Sequence, residues 1–98
     1  MSTTQIERTV HVRIAGHVQG VGLRAYIQDN ARKLGLSGWV TNCHDRTVEA
    51  LFHGAPAAVE AMLVRARMGP PAAHVGSLTI LEDGDAVPPA GFHILKTL

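Results

Sequence analysis

The sequence predicts an α+β sandwich with the element order β-α-β-β-α-β and a short fifth strand near its C-terminal end. In such an order two helices cover one face of a mostly antiparallel sheet. Three observations carry this prediction. Apolar residues alternate with period two in several short runs, and they recur at helical spacing in two longer ones. Glycine, proline, asparagine and aspartate punctuate the boundaries between these runs.

Val10, Val12 and Ile14 alternate with His11, Arg13 and Ala15, which predicts a first strand with one buried face. Leu23, Tyr26, Ile27, Ala31 and Leu34 then recur at helical spacing, and Gly35 is suited to end that helix. A second strand is predicted over Gly38–Cys43, turn chemistry over Asn42–Arg46, and a third strand over Thr47–His53. Pro56 suits the first turn of a second helix, whose apolar stripe is Val59, Met62, Leu63 and Ala66. Arg65 and Arg67 favour the negative end of its dipole, and Gly69-Pro70-Pro71 stops it. Val75–Leu81 reads as a fourth strand, Asp83–Gly91 as a loop, and Phe92–Lys96 as the short fifth strand. The whole is the split β-α-β, or ferredoxin-like, arrangement. It runs strands one and two parallel with strand three between them. Their C-terminal ends then share one end of the sheet, and Arg24 and Asn42 are expected to meet there.

A chain of 98 residues is expected to form a single domain spanning 1–98, with about the first seven residues as a flexible tail. Its 46% hydrophobic content suffices for a core, and four aromatics make that core aliphatic. A formal charge of +1 with no run of Arg or Lys gives no electrostatic footprint for nucleic acid. The polar start is unlike a signal peptide, no apolar run reaches membrane-spanning length, and Cys43 has no internal partner. These features fit the cytoplasm and a protein with neither nucleic-acid nor membrane partners.

The stretch Gly16-His17-Val18-Gln19-Gly20-Val21-Gly22-Leu23-Arg24 carries the chemistry. A strand, a Gly-rich turn and a helix start can gather backbone N–H groups around an anion. Arg24 adds a planar fork of donors that matches two phosphate oxygens. The P-loop spacing fails, because Leu23 and Arg24 follow Gly22. The dinucleotide fingerprint fails too, because the glycines are spaced Gly-x-x-x-Gly-x-Gly. Taken alone, the loop is compatible with an anion site or with a plain strand-to-helix turn.

The linked motifs go further. Gly16-x-Val18-Gln19-Gly20-Val21-Gly22-x-Arg24, Ala31-x-x-Leu34-Gly35-Leu36-x-Gly38-Trp39-Val40-x-Asn42, Asp45-x-x-Val48-Glu49, Gly54 and Gly69-Pro70 together resemble the acylphosphatases over nearly the whole chain. The resemblance implies the fold predicted above and hydrolysis of the mixed anhydride of a carboxylic acid and phosphate. It implies that Arg24 binds the phosphoryl group with amides of the loop, and that Asn42 orients the attacking water. A small acyl phosphate would be the substrate, inorganic phosphate and sulfate competing anions, and the chain a monomer needing no cofactor and no metal. Two positions depart from the family pattern. Leu23 stands where phenylalanine is usual, and Arg46 where glycine is frequent. Arg46 costs on the order of 1 kcal/mol if φ is positive there. The alternative is a non-catalytic phosphate-binding regulatory module of the same fold. Similar domains also begin larger hydrogenase-maturation proteins, a setting that the 98-residue length is expected to exclude if the chain is complete. RNA binding by the sheet lacks the exposed aromatics it needs.

The remaining polar residues are expected to play lesser parts. No His-x₃-His pair or similar ligand spacing is present among the six histidines. His11 and His53 are expected as a surface pair on the open sheet face, and His17 and His44 near the mouth of the loop. Gln19 is expected to serve structure, Asp45 a turn and Trp39 packing, with Glu49 on the open face. Cys43 is a strand-end residue beside Asn42.

Overall fold

The computed structural model describes residues 6–97. The tail expected over about the first seven residues therefore lies, for residues 1–5, outside the described part. The strands are β1 (Arg8–His17), β2 (Ser37–Asn42), β3 (Val48–Gly54), β4 (His74–Gly84) and β5 (Phe92–Ile94). The helices are α1 (Leu23–Lys33) and α2 (Pro56–Met68). The sheet order is β4-β1-β3-β2-β5. β1 and β2 both pair antiparallel with β3, so they run parallel to each other, and β4 pairs antiparallel with β1. β5 adds a parallel strand at the edge beside β2. This is the predicted ferredoxin-like α+β fold.

The predicted periodicities fill the core. Val10, Val12 and Ile14 of β1, and Val48, Ala50 and Phe52 of β3, are completely buried. They join Leu23, Ile27 and Ala31 of α1 and Val59, Met62, Leu63 and Ala66 of α2 in one cluster. Phe52 and Phe92 stack with ring centroids 5.8 Å apart, which anchors β5 to the core. No described helix is long and apolar enough to cross a membrane.

The predicted boundaries of β2 and β3 shift by one residue at each end, and those of β1, β4 and β5 change more. β4 starts at His74 and continues to Gly84, through residues expected as loop. Its backbone pairs with β1 along the whole way, from His17↔His74 to Thr9↔Gly84, with register irregularities between His11 and Val12, next to the polar stretch, and between Ala15 and Gly16. Arg8 also donates to both carboxylate oxygens of Asp83, tying down the end of the strand. β5 is shorter than predicted and ends at Ile94. Gly16 and His17, expected in the Gly-rich loop, instead close β1. A Cβ on Gly16 would stand 2.3 Å from the His74 carbonyl oxygen, so this glycine serves the close approach of two strands.

The expected surface pair of His11 and His53 is corrected. His53 is buried, and its Nδ1 lies 2.7 Å from Thr9 Oγ1. His11 binds Glu49 Oε1 through Nε2 at 2.8 Å and meets Trp39 edge-on. Two polar partners on the sheet face thus hold the rings apart in separate contacts.

Candidate active site

The loop after β1 crosses to the start of α1 with Gly20 at φ 73° and Gly22 at φ 83°. Gly22 is the N-cap residue in the left-handed region, a conformation that costs an L side chain about 1–2 kcal/mol. No side chain caps this helix end, and its first turn holds no acidic residue. The leading amides of α1 thus keep their N–H groups for an external acceptor, and the dipole favours an anion there. Leu23 is buried behind the loop.

Arg24 and Asn42 come together as the topology predicts. Both line a cavity of about 300 Å³, along with Val18, Gly20, Gly22 and Leu23. Ala25 and Ile94, which lie outside the sequence motifs, complete the lining. Arg24 is the only charged residue of this lining, and its guanidinium enters no ion pair among the described residues. Asn42 Oδ1 is buried and has no hydrogen-bond partner among them. A buried carbonyl oxygen left so costs roughly 1–3 kcal/mol, which a bound water relieves. His17, Gln19 and Val21 belong to the predicted loop but do not line the cavity.

Gln19 has a different place. Its side-chain Nε2 donates to the carbonyls of Cys43 and Thr47, each at 2.9 Å. Both N–H bonds of one amide therefore bind the turn between β2 and β3. That turn begins one residue after Asn42, so Gln19 ties the loop to the strand end carrying Asn42. The structural role expected for Gln19 is this clamp.

The turn itself is tightly built. Asp45 Oδ1 accepts from the Thr47 hydroxyl at 2.6 Å and from the Thr47 amide at 3.0 Å. Those bonds, the hydroxyl's first, hold the Asp45 carboxyl below its usual range. Arg46 adopts φ 73°, so the strain expected at this position is present. Cys43 is buried and donates its thiol to Glu49 Oε2 at 3.4 Å. Burial, foremost, pushes its pKa up. His44 is exposed on the turn, and exposed His17 sits opposite His74 with ring centroids 6.3 Å apart.

A second cavity, of about 140 Å³, lies over the sheet by His11 and Leu51. Glu82 and Asp85 line it. Two carboxylates make it a poor place for a phosphoryl group. Among the described residues, the Arg24 charge, the uncapped helix amides and the orphaned Asn42 acceptor converge at the cavity of Arg24 and Asn42.

Ile94 left no local signal in the sequence. It sits in a three-residue strand and reaches the cavity because β5 pairs with β2 in parallel, Ile94 opposite Val40.

The acylphosphatase family model matches residues 10–94. The chain is 56% identical over 73 residues to an acylphosphatase of Rhodospirillum rubrum, covering 74% of this chain and 80% of that one. It is 51% identical over 88 residues to an acylphosphatase of an Azoarcus species, covering 88% and 87%. The crystal structure of the Bacillus subtilis acylphosphatase superposes with a TM-score of 0.85 at 29% identity, covering 90% of this chain and 98% of that one. With a family match across most of its length and close relatives of nearly its own size, the chain belongs to the acylphosphatase family.

Proposed function

We propose a division of labour among these residues for acyl phosphate hydrolysis, the reaction of the family. Arg24 and the amides around Gly22 and Leu23 hold the phosphoryl oxygens. Asn42 accepts a hydrogen bond from water through Oδ1 and aims the water's lone pair at phosphorus. The water forms the new O–P bond as the bond from phosphorus to the acyl oxygen breaks. The carboxylate leaves with the bonding pair, and the water's proton passes to a phosphoryl oxygen or to solvent.

This chemistry needs little from the protein. A carboxylate leaves without a general acid. The loose transition state of phosphoryl transfer gathers charge on the equatorial oxygens, where preorganised donors act. The lining contains no cysteine, lysine, histidine or carboxylate to take up the phosphoryl group, which favours direct attack by water. All the required donors come from one chain, so a monomer suffices, and no step calls for a metal or cofactor. Inorganic phosphate and sulfate fit the same donors and would compete with substrate.

The buried, unpartnered Asn42 Oδ1 beside Arg24 carries this reading most directly. The test is release of phosphate from acetyl phosphate by purified protein in a chelator. Turnover is expected, with phosphate monoesters as poor substrates because their alkoxide needs an acid. Loss of activity in chelator, restored by a divalent cation, would overturn the proposal. Binding of phosphate without turnover would favour the non-catalytic module.

A further inference from the structure

Burial divides the cavity into a floor and a rim. Val18 and Leu23 are 2% and 1% exposed, and Asn42 Oδ1 is buried with them. Gly20, Gly22, Ala25 and Ile94 are exposed. Ile94 is 40% exposed although it stands one strand from the core. The reason is local. Phe92 and Ile94 share a sheet face, because strand side chains alternate with period two. Gln28 and Arg32 of α1 both donate to the Phe92 carbonyl, so the helix body covers Phe92, which is 1% exposed. Two residues farther along, at the level where α1 begins, no helix body covers the sheet, and Ile94 opens onto the cavity. Ile94 pairs with Val40, so on the neighbouring strand Asn42 follows on the same face.

In-line displacement places the leaving acyl oxygen opposite the attacking water. A water on the buried Asn42 oxygen attacks from the floor, so the acyl group points to the rim. The rim side chains there are Ile94 and Ala25, both uncharged and apolar. The one cation of the lining is Arg24, which the phosphoryl group occupies. We infer that Ile94 and Ala25 form a subsite for the acyl group of the substrate, selecting uncharged, apolar acyl chains over those with a second anionic group. This inference rests on the hydrolytic reading above and adds the substrate class to it.

The experiment compares kcat/KM for acetyl, benzoyl and 4-carboxybenzoyl phosphate in the unsubstituted protein, Ile94→Ala and Ile94→Lys. Ratios between substrates cancel their shared phosphoryl contacts, and comparing each ratio across proteins cancels intrinsic reactivity. Ile94→Ala should lower the benzoyl-to-acetyl ratio about 5-fold, the scale expected for a few methylenes of half-exposed apolar contact. The inhibition constant for inorganic phosphate should stay within about twofold, because phosphate alone does not reach the rim. Ile94→Lys should raise the 4-carboxybenzoyl-to-benzoyl ratio by pairing the second carboxylate. Retained unfolding midpoints identify folded variants, and the lysine variant tests the subsite even where alanine loosens β5. Turnover with both ratios unchanged would overturn the subsite alone. No turnover of any acyl phosphate by the unsubstituted protein would overturn the hydrolytic reading and the subsite with it.

Discussion

Replacing Gln19 by methionine keeps the length of the side chain and removes the amide that clamps the loop to the β2–β3 turn. Two hydrogen bonds of 2.9 Å are lost, to the carbonyls of Cys43 and Thr47. Neither carbonyl is orphaned. Cys43 O keeps the Arg46 amide at 3.1 Å, and Thr47 O keeps the Cys43 amide at 2.9 Å. The cost is therefore about 2 kcal/mol, two net hydrogen bonds of roughly 1 kcal/mol each, without the added penalty of a buried unpaired group. In a domain of this size that lowers Tm by about 8–16 °C, since each 1 kcal/mol is worth roughly 4–8 °C. The effect on rate has a different origin. Asn42 immediately precedes the clamped turn, while Arg24 and the amides proposed to hold the phosphoryl group follow Gln19 on the loop. Freeing one from the other loosens the water relative to the phosphoryl group. A displacement approaching 1 Å is worth up to about 10²-fold, so kcat should fall at least about 10-fold. Binding of inorganic phosphate should change much less, because its donors stay together. Urea or thermal unfolding, initial rates with benzoyl phosphate and phosphate inhibition measure all three quantities. A variant that is destabilised yet retains full kcat would refute the claim that loop-to-turn spacing matters for catalysis. One as stable as the parent would refute the clamp itself.

Arg24→Ala should weaken phosphate inhibition and turnover together, whereas Asn42→Ala should lower kcat while phosphate still binds. Each loss is expected at roughly 10²-fold or more, and near-full kcat in a folded Asn42→Ala variant would remove the water-holding role. Arg46→Gly should stabilise the fold by about 0.5–1 kcal/mol, because relief of a left-handed residue outweighs the entropy of glycine; a lower urea midpoint would contradict the strain at φ 73°. The kcat profile should be nearly flat from about pH 5 to 7.5, where carboxylates and histidines titrate, since no titrating group is assigned to the chemical step. A steep limb abolished by His17→Gln or His44→Gln would show that a histidine takes part. Burial raises the Cys43 pKa, so its contribution to stability is complete below the ordinary thiol range near pH ~8.5 and declines above it, as the unfolded chain loses its thiol proton first. Iodoacetamide should accordingly modify the native chain more slowly than the urea-unfolded chain at pH ~8.5, and equal rates would argue that the thiol is open to solvent.

Much of this molecule is legible residue by residue. The alternation of Val10, Val12 and Ile14 marks β1, and the stripe of Val59, Met62, Leu63 and Ala66 marks α2, because burial of one face imposes a period on the chain. Gly20 and Gly22 announce a loop of unusual φ, and the linked motifs around Arg24 and Asn42 identify the family. Even the meeting of those two residues follows from the strand order, since topology fixes which ends of the sheet coincide. Other features depend on partners far away in the chain. The polar end of β4 has no strand signal of its own, and pairing with β1 makes it a strand. His53 carries nothing in its sequence context that distinguishes a surface ring from the buried one bound to Thr9. Gln19 finds its carbonyls 24 and 28 residues away, and Ile94 reaches the cavity through a parallel neighbour more than 50 residues earlier. Local periodicity records which face a residue presents, and hydrogen-bonding motifs record what it can bind. Only the assembled sheet and helices decide which groups arrive opposite it, and so left Asn42 Oδ1 buried, with no partner among the described residues, in the cavity it shares with Arg24.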